Sequence, residues 1–444
     1  MTLHRINLGN TFNRTWLIAM SLLAGIATGA PSSPAAQENA TSTMDVSTRR
    51  LLDALEERQM PDVALWVLNR IEATADASSD IKKDVPYRRA IALVGTTRTE
   101  SDSKKRAAIL DQAEKEIDRF LDDKPGGAQA IAAYTQKGNL LVERGRSKIE
   151  QAKRPDQDVK ALQAESLQFF DNAIKSLEGA EGAASESLKK VDADLAEMKE
   201  KERKAKEASE AAEPAKPKGA KAKPDAKKTP ALSSADVAAM DLLEEKQDSL
   251  RGQLLQARLL IAGVLFEKSK ALEKDSKEWK QAIEDSTKKY GDLFQKYSSR
   301  GVGLFARYYE GRNYVVLGDR VKALAALSNL RLLEGEAGIV PSLRTKAINS
   351  SLECWLEEKK YEEFDERLQK IALTSVPPAK LDADWLGMKY RAAVLLERRA
   401  SELADGEKPK RIAIQKDAKK LALEVAKANR DFSKEARDLL EKLF

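Results

Sequence analysis

The chain has 444 residues, of which 42% are hydrophobic, 33% charged and 5% aromatic, and its formal net charge is +6. This apolar content is too high for a wholly disordered chain, and 22 Gly and 14 Pro are too few for a fibrous one. A single cysteine, Cys354, excludes an intramolecular disulfide and a cysteine-based zinc cluster. The only histidine, His4, lies in a predicted export segment, so the exported protein would have neither imidazole catalysis nor histidine-ligated metals.

The first 30 residues have the pattern of a secretory signal. Arg5 and Arg14 form a basic start without acids, and an apolar stretch follows from residue 16 to residue 30. That stretch is shorter than the ~20 residues that span a bilayer comfortably. We therefore predict export to the periplasm or out of the cell, with the cleavage site left open. The alternative is an inner-membrane anchor formed by residues 16–30. Residues 31–44 are predicted to be a disordered spacer.

A lysine-rich tract accounts for most of the positive charge. Residues 214–230, PAKPKGAKAKPDAKKTP, hold six Lys between Lys216 and Lys228 against one Asp. We predict a disordered basic linker at 213–233, because its lysines repel one another and it has no apolar side chain larger than Ala. This linker is expected to make a weak contact with anionic envelope components. Nucleic-acid binding is not expected, because the basic charge is confined to the tract and is not spread over folded elements.

The remaining apolar patterns have helical spacing and predict an all-α protein, since Ala, Leu, Glu and Lys are abundant and β-alternation is absent. The clearest unit is Leu304–Gly335. Gly311 and Tyr314 lie three residues apart on its first helix, Gly318 marks the turn, and Ala323 begins the apolar stripe of the second helix.

This unit resembles a tetratricopeptide repeat. In that family a small residue on the first helix lets the second helix approach closely, an aromatic residue one turn later fills the groove, and a small residue of the second helix lies at the crossing. Gly311, Tyr314 and Ala323 occupy these places, whereas the family's proline at the end of the repeat is replaced by Gly335. The resemblance is to degenerate repeats over roughly half of the chain and implies a solenoid of helix hairpins; the alternative is a generic helical bundle.

Weaker copies share this register at 45–78 and 345–378, and a further copy is split between 127–150 and 169–177. In the copy at 345–378, Phe364 stands at the crossing position of the second helix. The residues predicted to pack the repeats are Gly311, Tyr314, Gly318, Ala323, Leu327, Leu55, Ala64, Leu68, Trp355 and Leu368. Further amphipathic helices are predicted at 103–122, 384–403, 411–429 and 432–444.

Two segments in the middle carry heptad-like seams, one from Leu188 to Met198 and one from Met240 to Val264. They could fold back on each other as a coiled-coil hairpin, or extend the solenoid on either side of a loop. Self-association through residues 185–272 is a possible role for them. The predicted regions are a signal at 1–30, a spacer at 31–44, repeats at 45–182, a charged helix or coiled coil at 183–212, a basic linker at 213–233, a long helix with a helical connection at 234–300, repeats at 301–378 and C-terminal helices at 379–444.

No sequence motif predicts catalysis, a metal or a cofactor. A phosphate-binding loop and a dinucleotide fingerprint are both missing. The acid pair Asp382 and Asp384 is interpreted as a helix start, with Asp384 as the N-cap before Trp385. Cys354 lies in an apolar helical pattern and is interpreted as a buried structural thiol.

Four residues of the clearest repeat are the candidate ligand site. The resemblance implies that first helices line a concave face and hold extended peptides through Asn, Arg and Tyr side chains. We predict Arg307, Tyr308, Arg312 and Asn313 as peptide-binding residues, with an ordinary polar helix face as the alternative.

These features together predict a non-enzymatic exported scaffold that binds protein or peptide partners at the cell envelope. The first alternative is a structural envelope spacer or an oligomerisation factor acting through 185–272. The second is a carboxylate-dependent hydrolase, which no pair of acids specifically supports.

Overall fold

The computed structural model describes residues 43–74, 78–211, 234–378 and 381–443. In these ranges the chain forms fifteen α-helices, two short 3-10 helices and no β-strand, so the all-α prediction is confirmed. The predictions for residues 1–30, for most of 31–44 and for 213–233 lie outside the described residues. Within the described ranges, no helix combines the length and the apolar character that crossing a membrane requires.

The described residues up to Ala271 belong to one compact unit and those from Leu272 onward to another. The helices of the first unit are α1 (Thr43–Glu57), α2 (Pro61–Ala73), α3 (Ser79–Thr96), α4 (Ser103–Asp122), α5 (Gly127–Ala152), α6 (Val159–Ala211) and α7 (Ser234–Ser269). The helices of the second unit are α8 (Lys277–Tyr297), α9 (Gly301–Leu317), α10 (Arg320–Arg331), α11 (Val340–Glu358), α12 (Glu366–Thr374), α13 (Ala383–Glu402), α14 (Lys408–Ala428) and α15 (Ser433–Leu443).

Several helices begin at residues that favour a helix N-terminus. Pro61 opens α2, where its missing N–H leaves no helical hydrogen bond unmade. The carboxylates of Asp102 and Asp319 accept backbone N–H groups at the starts of α4 and α10. At the start of α13 the N-cap is Asp382, which accepts the Trp385 N–H at 2.7 Å. The sequence-based assignment of this cap to Asp384 was wrong by two residues, because α13 already begins at residue 383.

In the first unit, each helix packs on the next one along the chain. In addition, α1 contacts α3, α3 contacts α5, and α5 contacts α7. The odd-numbered helices of this unit therefore lie side by side in series.

The second unit repeats this packing order. Helix α9 contacts both of its neighbours, α8 and α10, and α14 contacts α13 and α15. Helices two apart also touch, since α9 contacts α11, α11 contacts α13, and α13 contacts α15. The odd-numbered helices again lie in series, as they do in the first unit.

Glycines allow the closest helix crossings. A Cβ on Gly311 would lie 2.9 Å from two atoms of the Leu327 side chain on α10. Gly138 and Gly145 of α5 face Leu177 and Phe170 of α6 in the same manner, at 2.7 and 2.9 Å. A side chain at any of these positions would force the facing side chain or its helix to shift.

The other predicted packing residues differ in their surroundings. Tyr314 is only half-buried, with the Lys322 ammonium 5.6 Å from its ring centroid, and Gly318 ends α9 in the left-handed conformation at φ 78°. The remaining predicted packing residues are buried: Ala323, Leu327, Leu55, Ala64, Leu68, Trp355 and Leu368. Phe364, predicted to stand at the crossing position of a second helix, lies outside any α-helix. It follows a 3-10 helix at Tyr361–Glu363 as a fully buried side chain, and α12 starts at residue 366.

The two long central helices fold back on each other. Lys268 lies 2.6 Å from Asp171, Arg258 lies 2.8 Å from Glu181, and contacts continue outward to Lys199 and Glu244 at 3.1 Å. Because residue numbers rise on one helix as they fall on the other, α6 and α7 are antiparallel. Of the two alternatives, the structure shows the fold-back hairpin.

The apolar seam of this hairpin is filled within the chain. Val191 and Leu195 of α6 pack with Leu250 and Leu254 of α7. The predicted boundary between residues 182 and 183 falls inside the continuous helix α6. Self-association through 185–272 stays a prediction, and it would need a face other than this seam.

Candidate functional site

A strip of charged and polar side chains lies along three neighbouring helices of the second unit, α9, α11 and α13. On each helix every member lies three, four or seven residues from another member, which places them along one side of the helix. We call this set the polar strip: Tyr308 and Arg312 of α9, Lys346, Asn349, Ser350 and Glu353 of α11, and Asp384 and Arg391 of α13.

Arg312 links the first two helices of the polar strip. Its guanidinium donates to a Glu353 carboxylate oxygen at 2.8 Å and to the Ser350 hydroxyl at 3.3 Å. Burial alone would raise the pKa of Glu353, but Arg312 and Arg391 outweigh burial and hold that pKa below its usual value. The Arg312–Glu353 pair is therefore charged on both sides and fixes α9 against α11.

Lys346 and Asp384 link the second and third helices. The Lys346 ammonium donates to Asp384, and the Asn349 amide donates to the other carboxylate oxygen at 3.3 Å. Burial would raise the pKa of Asp384, but Lys346 and Arg312 lower it below its ordinary value. For Lys346, burial would lower the pKa, yet the Asp384 carboxylate raises it above the ordinary value.

Arg391 differs from the other two cations of the polar strip in its contacts. Its guanidinium donates to Asn349 Oδ1 at 2.7 Å and lies 5.3 Å from the centroid of the Phe432 ring. Among the described residues, it forms no ion pair within 4 Å, and burial lowers its pKa despite nearby Glu353. Gly387 leaves room for this group, since a Cβ there would lie 2.7 Å from Arg391 Nη1.

The charges of the polar strip do not balance. Arg312, Lys346 and Arg391 carry three positive charges against the two carboxylates of Glu353 and Asp384. Two of the cations are neutralised in direct pairs, so the unbalanced positive charge lies at Arg391. Such a group can bind a carbonyl or a carboxylate with two parallel hydrogen bonds.

The four predicted peptide-binding residues do not lie together in the structure. Tyr308 and Arg312 belong to the polar strip. Arg307 instead donates to Glu310 at 2.8 Å and lies over the Phe294 ring, while Asn313 is 1% exposed and donates to the Ser286 hydroxyl at 2.9 Å. Arg307 and Asn313 thus point away from the polar strip, and their role in peptide binding stays a prediction.

The strip residues of α11 and α13 were not predicted from the sequence. A signal for α11 was available, because Lys346, Asn349 and Glu353 recur at helical spacing along that segment. For α13, Asp384 was predicted to be a helix N-cap and therefore not a binding residue. Arg391 has no local signal, since its partner Asn349 is 42 residues away.

The groups considered for catalysis have structural roles. Asp382 caps α13, and Asp384 forms an ion pair with Lys346. Cys354 is buried, and burial together with Glu353 raises the pKa of its thiol to about 12. The described ranges contain no group of acids, histidines or cysteines suited to hold a metal ion.

A scan against protein-family models found no match for this chain, and a comparison with curated proteins found none either. The functional assignment therefore depends on the chemistry of the polar strip and on the order in which the helices pack.

Proposed function

We propose that this protein is a non-enzymatic helical-repeat scaffold that binds protein or peptide partners, and that it acts at the cell envelope after export. The serial packing of odd-numbered helices supports a repeat architecture, because each helix pair buries its apolar face against the next pair. Export is supported by the basic and apolar pattern of residues 1–30.

The observation that carries the binding proposal is Arg391. A largely buried guanidinium without a carboxylate partner is unfavourable in the free protein, and a ligand that supplies an oxygen pair removes that penalty. Arg391 donates a hydrogen bond to the Asn349 side-chain oxygen, and the Asn349 amide group donates one to Asp384. These hydrogen bonds orient the guanidinium before a ligand arrives. Preorganisation of this kind lowers the entropy lost on binding.

The proposed ligand is an extended polypeptide segment that places a main-chain carbonyl or an acidic side chain on Arg391. An extended segment fits a row of neighbouring helices, since it can cross α9, α11 and α13 in turn. A partner of this kind requires neither a metal nor a cofactor.

The test is a peptide-array screen with the full chain, followed by titration of the selected peptide by fluorescence anisotropy. Arg391→Ala should weaken binding about tenfold or more, as loss of one charged hydrogen-bond pair does. Arg398→Ala is the matched control, because Arg398 lies on the same helix, is 56% exposed and, among the residues that the structure describes, forms an ion pair only with its neighbour Glu397. That variant should bind within about twofold of the unchanged chain.

Thermal unfolding of both variants must accompany the titrations, so that a loss of fold is not mistaken for a loss of binding. If no peptide binds, or if Arg391→Ala and Arg398→Ala lose affinity equally, the polar strip is not the binding site.

A further inference from the structure

The outer face of the first helix hairpin is unusually apolar. Trp66 of α2 is 63% exposed and Val63, one turn before it, is 40% exposed, while Met60 and Leu51 of the same hairpin are 42% and 48% exposed. Trp66 lies at the centre of the exposed face of α2, since Ala64 and Leu68 on the opposite face are buried.

This exposure is unusual for a helix face in water. By contrast, the exposed residues of α15 are all charged: Lys434, Glu435, Arg437, Asp438, Glu441 and Lys442. An exposed tryptophan beside an exposed aliphatic side chain on one helix face marks an interaction surface.

The charges around Trp66 are arranged symmetrically. Asp62 lies four residues before Trp66 and Arg70 four residues after it, and both are exposed on the same face of α2. Four residues correspond to about 6 Å along a helix axis. Among the described residues, neither Asp62 nor Arg70 has an ion-pair partner within 4 Å, and the Arg70 guanidinium lies 5.9 Å from the Trp66 ring centroid.

We propose that this face binds a second copy of the same chain, with the two α2 helices antiparallel and the two-fold axis at Trp66. In this arrangement the two Trp66 rings meet, and Asp62 of each copy faces Arg70 of the other. The surface is complementary to itself, as a two-fold interface requires. Leu51, Met60 and Val63 extend the buried apolar area on each side of the axis.

The first test is sedimentation velocity of the full chain over a concentration series, with Trp66→Ala as the variant. The unchanged chain should dimerise, and Trp66→Ala should raise the dimer dissociation constant by about 30-fold or more, as loss of a central tryptophan does. A chain that is monomeric throughout the series would overturn the proposal and leave the face to a different partner.

Charge reversal tests the register. Asp62→Lys and Arg70→Asp should each weaken the dimer by about tenfold, because each places like charges opposite one another twice in the symmetric interface. The double variant should recover the affinity. Asp62 and Arg70 of one copy are eight residues apart on one helix and cannot pair with each other, so recovery can come only from the second copy.

Leu242→Ala is the matched control, because Leu242 is 51% exposed on α7, within the segment proposed from the sequence for self-association. It should leave the dimer unchanged. A dimer that Leu242→Ala disrupts and Trp66→Ala does not, or one that both single charge reversals leave intact, would overturn the proposed interface. Melting curves of every variant show whether the monomer is still folded.

Discussion

Glycine positions decide how closely paired helices approach. Gly311→Ala should destabilise the protein by about 1–3 kcal/mol, because the added methyl overlaps the Leu327 side chain at 2.9 Å. Gly182 of α6 is the matched control, since it is exposed and a methyl added there would meet no atom within 4 Å. Gly182→Ala should stabilise by about 0.5–1 kcal/mol through helix propensity. Urea unfolding of both variants measures the difference, and a Gly311→Ala variant as stable as the unchanged chain would contradict the close crossing.

The Lys346–Asp384 pair should make stability depend on pH at both extremes. The pKa of Asp384 is lowered in the folded chain, so its contribution is present above its ordinary pKa of 3.8 and is lost as the pH falls further. The pKa of Lys346 is raised, so its contribution is present below its ordinary pKa of 10.5 and is lost as the pH rises through the folded value. Between these limits the pair stabilises fully.

Asp384→Asn should cost about 2–3 kcal/mol at neutral pH, because it leaves a buried ammonium without its carboxylate. It should also flatten the loss of stability on acidification. Asp80→Asn is the control, since Asp80 is 59% exposed and pairs weakly with Lys83 at 3.6 Å. Urea unfolding across the pH range checks both, and an unchanged acid limb in Asp384→Asn would show that the pair does not contribute.

Local sequence signals identified some of these residues and could not identify others. Gly311 and Ala323 were predictable because a close helix crossing requires small residues at fixed spacing within one hairpin. Asp384 was not, because its partner Lys346 is 38 residues away, and a carboxylate before an apolar run is equally consistent with a cap. Whether Asp384 caps its own helix or forms an ion pair depends on which helix packs against α13.

Among the helices, α4 and α15 were predictable from a single apolar stripe against a charged face. Helix α3 was not predicted. It contains Pro86 inside the helix, and it contacts α1, α2, α4 and α5. Because α3 is contacted on several sides, apolar residues lie around much of its circumference. The alternation of apolar and polar residues by which an amphipathic helix is recognised in a sequence is therefore weak.

The α6–α7 hairpin should depend on its seam. Leu254→Asp should destabilise it by about 3 kcal/mol or more, because Leu254 is 8% exposed and a carboxylate there would be buried in the apolar cluster that also holds Ala184 and Leu250. Hydrogen exchange should then accelerate in both helices. The exposed Leu242→Asp should change exchange little, and equal effects of the two substitutions would contradict the antiparallel register.

At the scale of the whole molecule, the described residues repeat one packing rule in both compact units. Each helix contacts its neighbour along the chain in most cases, and odd-numbered helices contact the next odd-numbered one. The sequence predicted hairpins, but it did not predict where the long helices end or that α6 continues across the expected boundary at residue 182. Helix-favouring residues such as Ala, Leu, Glu and Lys dominate 159–211 despite Gly179 and Gly182, so the local sequence does not mark a boundary at residue 182.

The placement of tryptophans gives each unit a different optical signature. Within the described residues, the first unit holds the exposed Trp66, whereas the second holds Trp279, Trp355 and Trp385, all at most 7% exposed. A soluble quencher such as acrylamide should therefore quench the fluorescence of Trp66 in the native protein. The fluorescence of the three buried tryptophans of the second unit should stay largely unquenched. On heating, a red shift of the emission maximum should report the melting of residues 272–443, while circular dichroism reports both units. Shielding of Trp66 from the quencher at high protein concentration would give an independent optical measure of self-association.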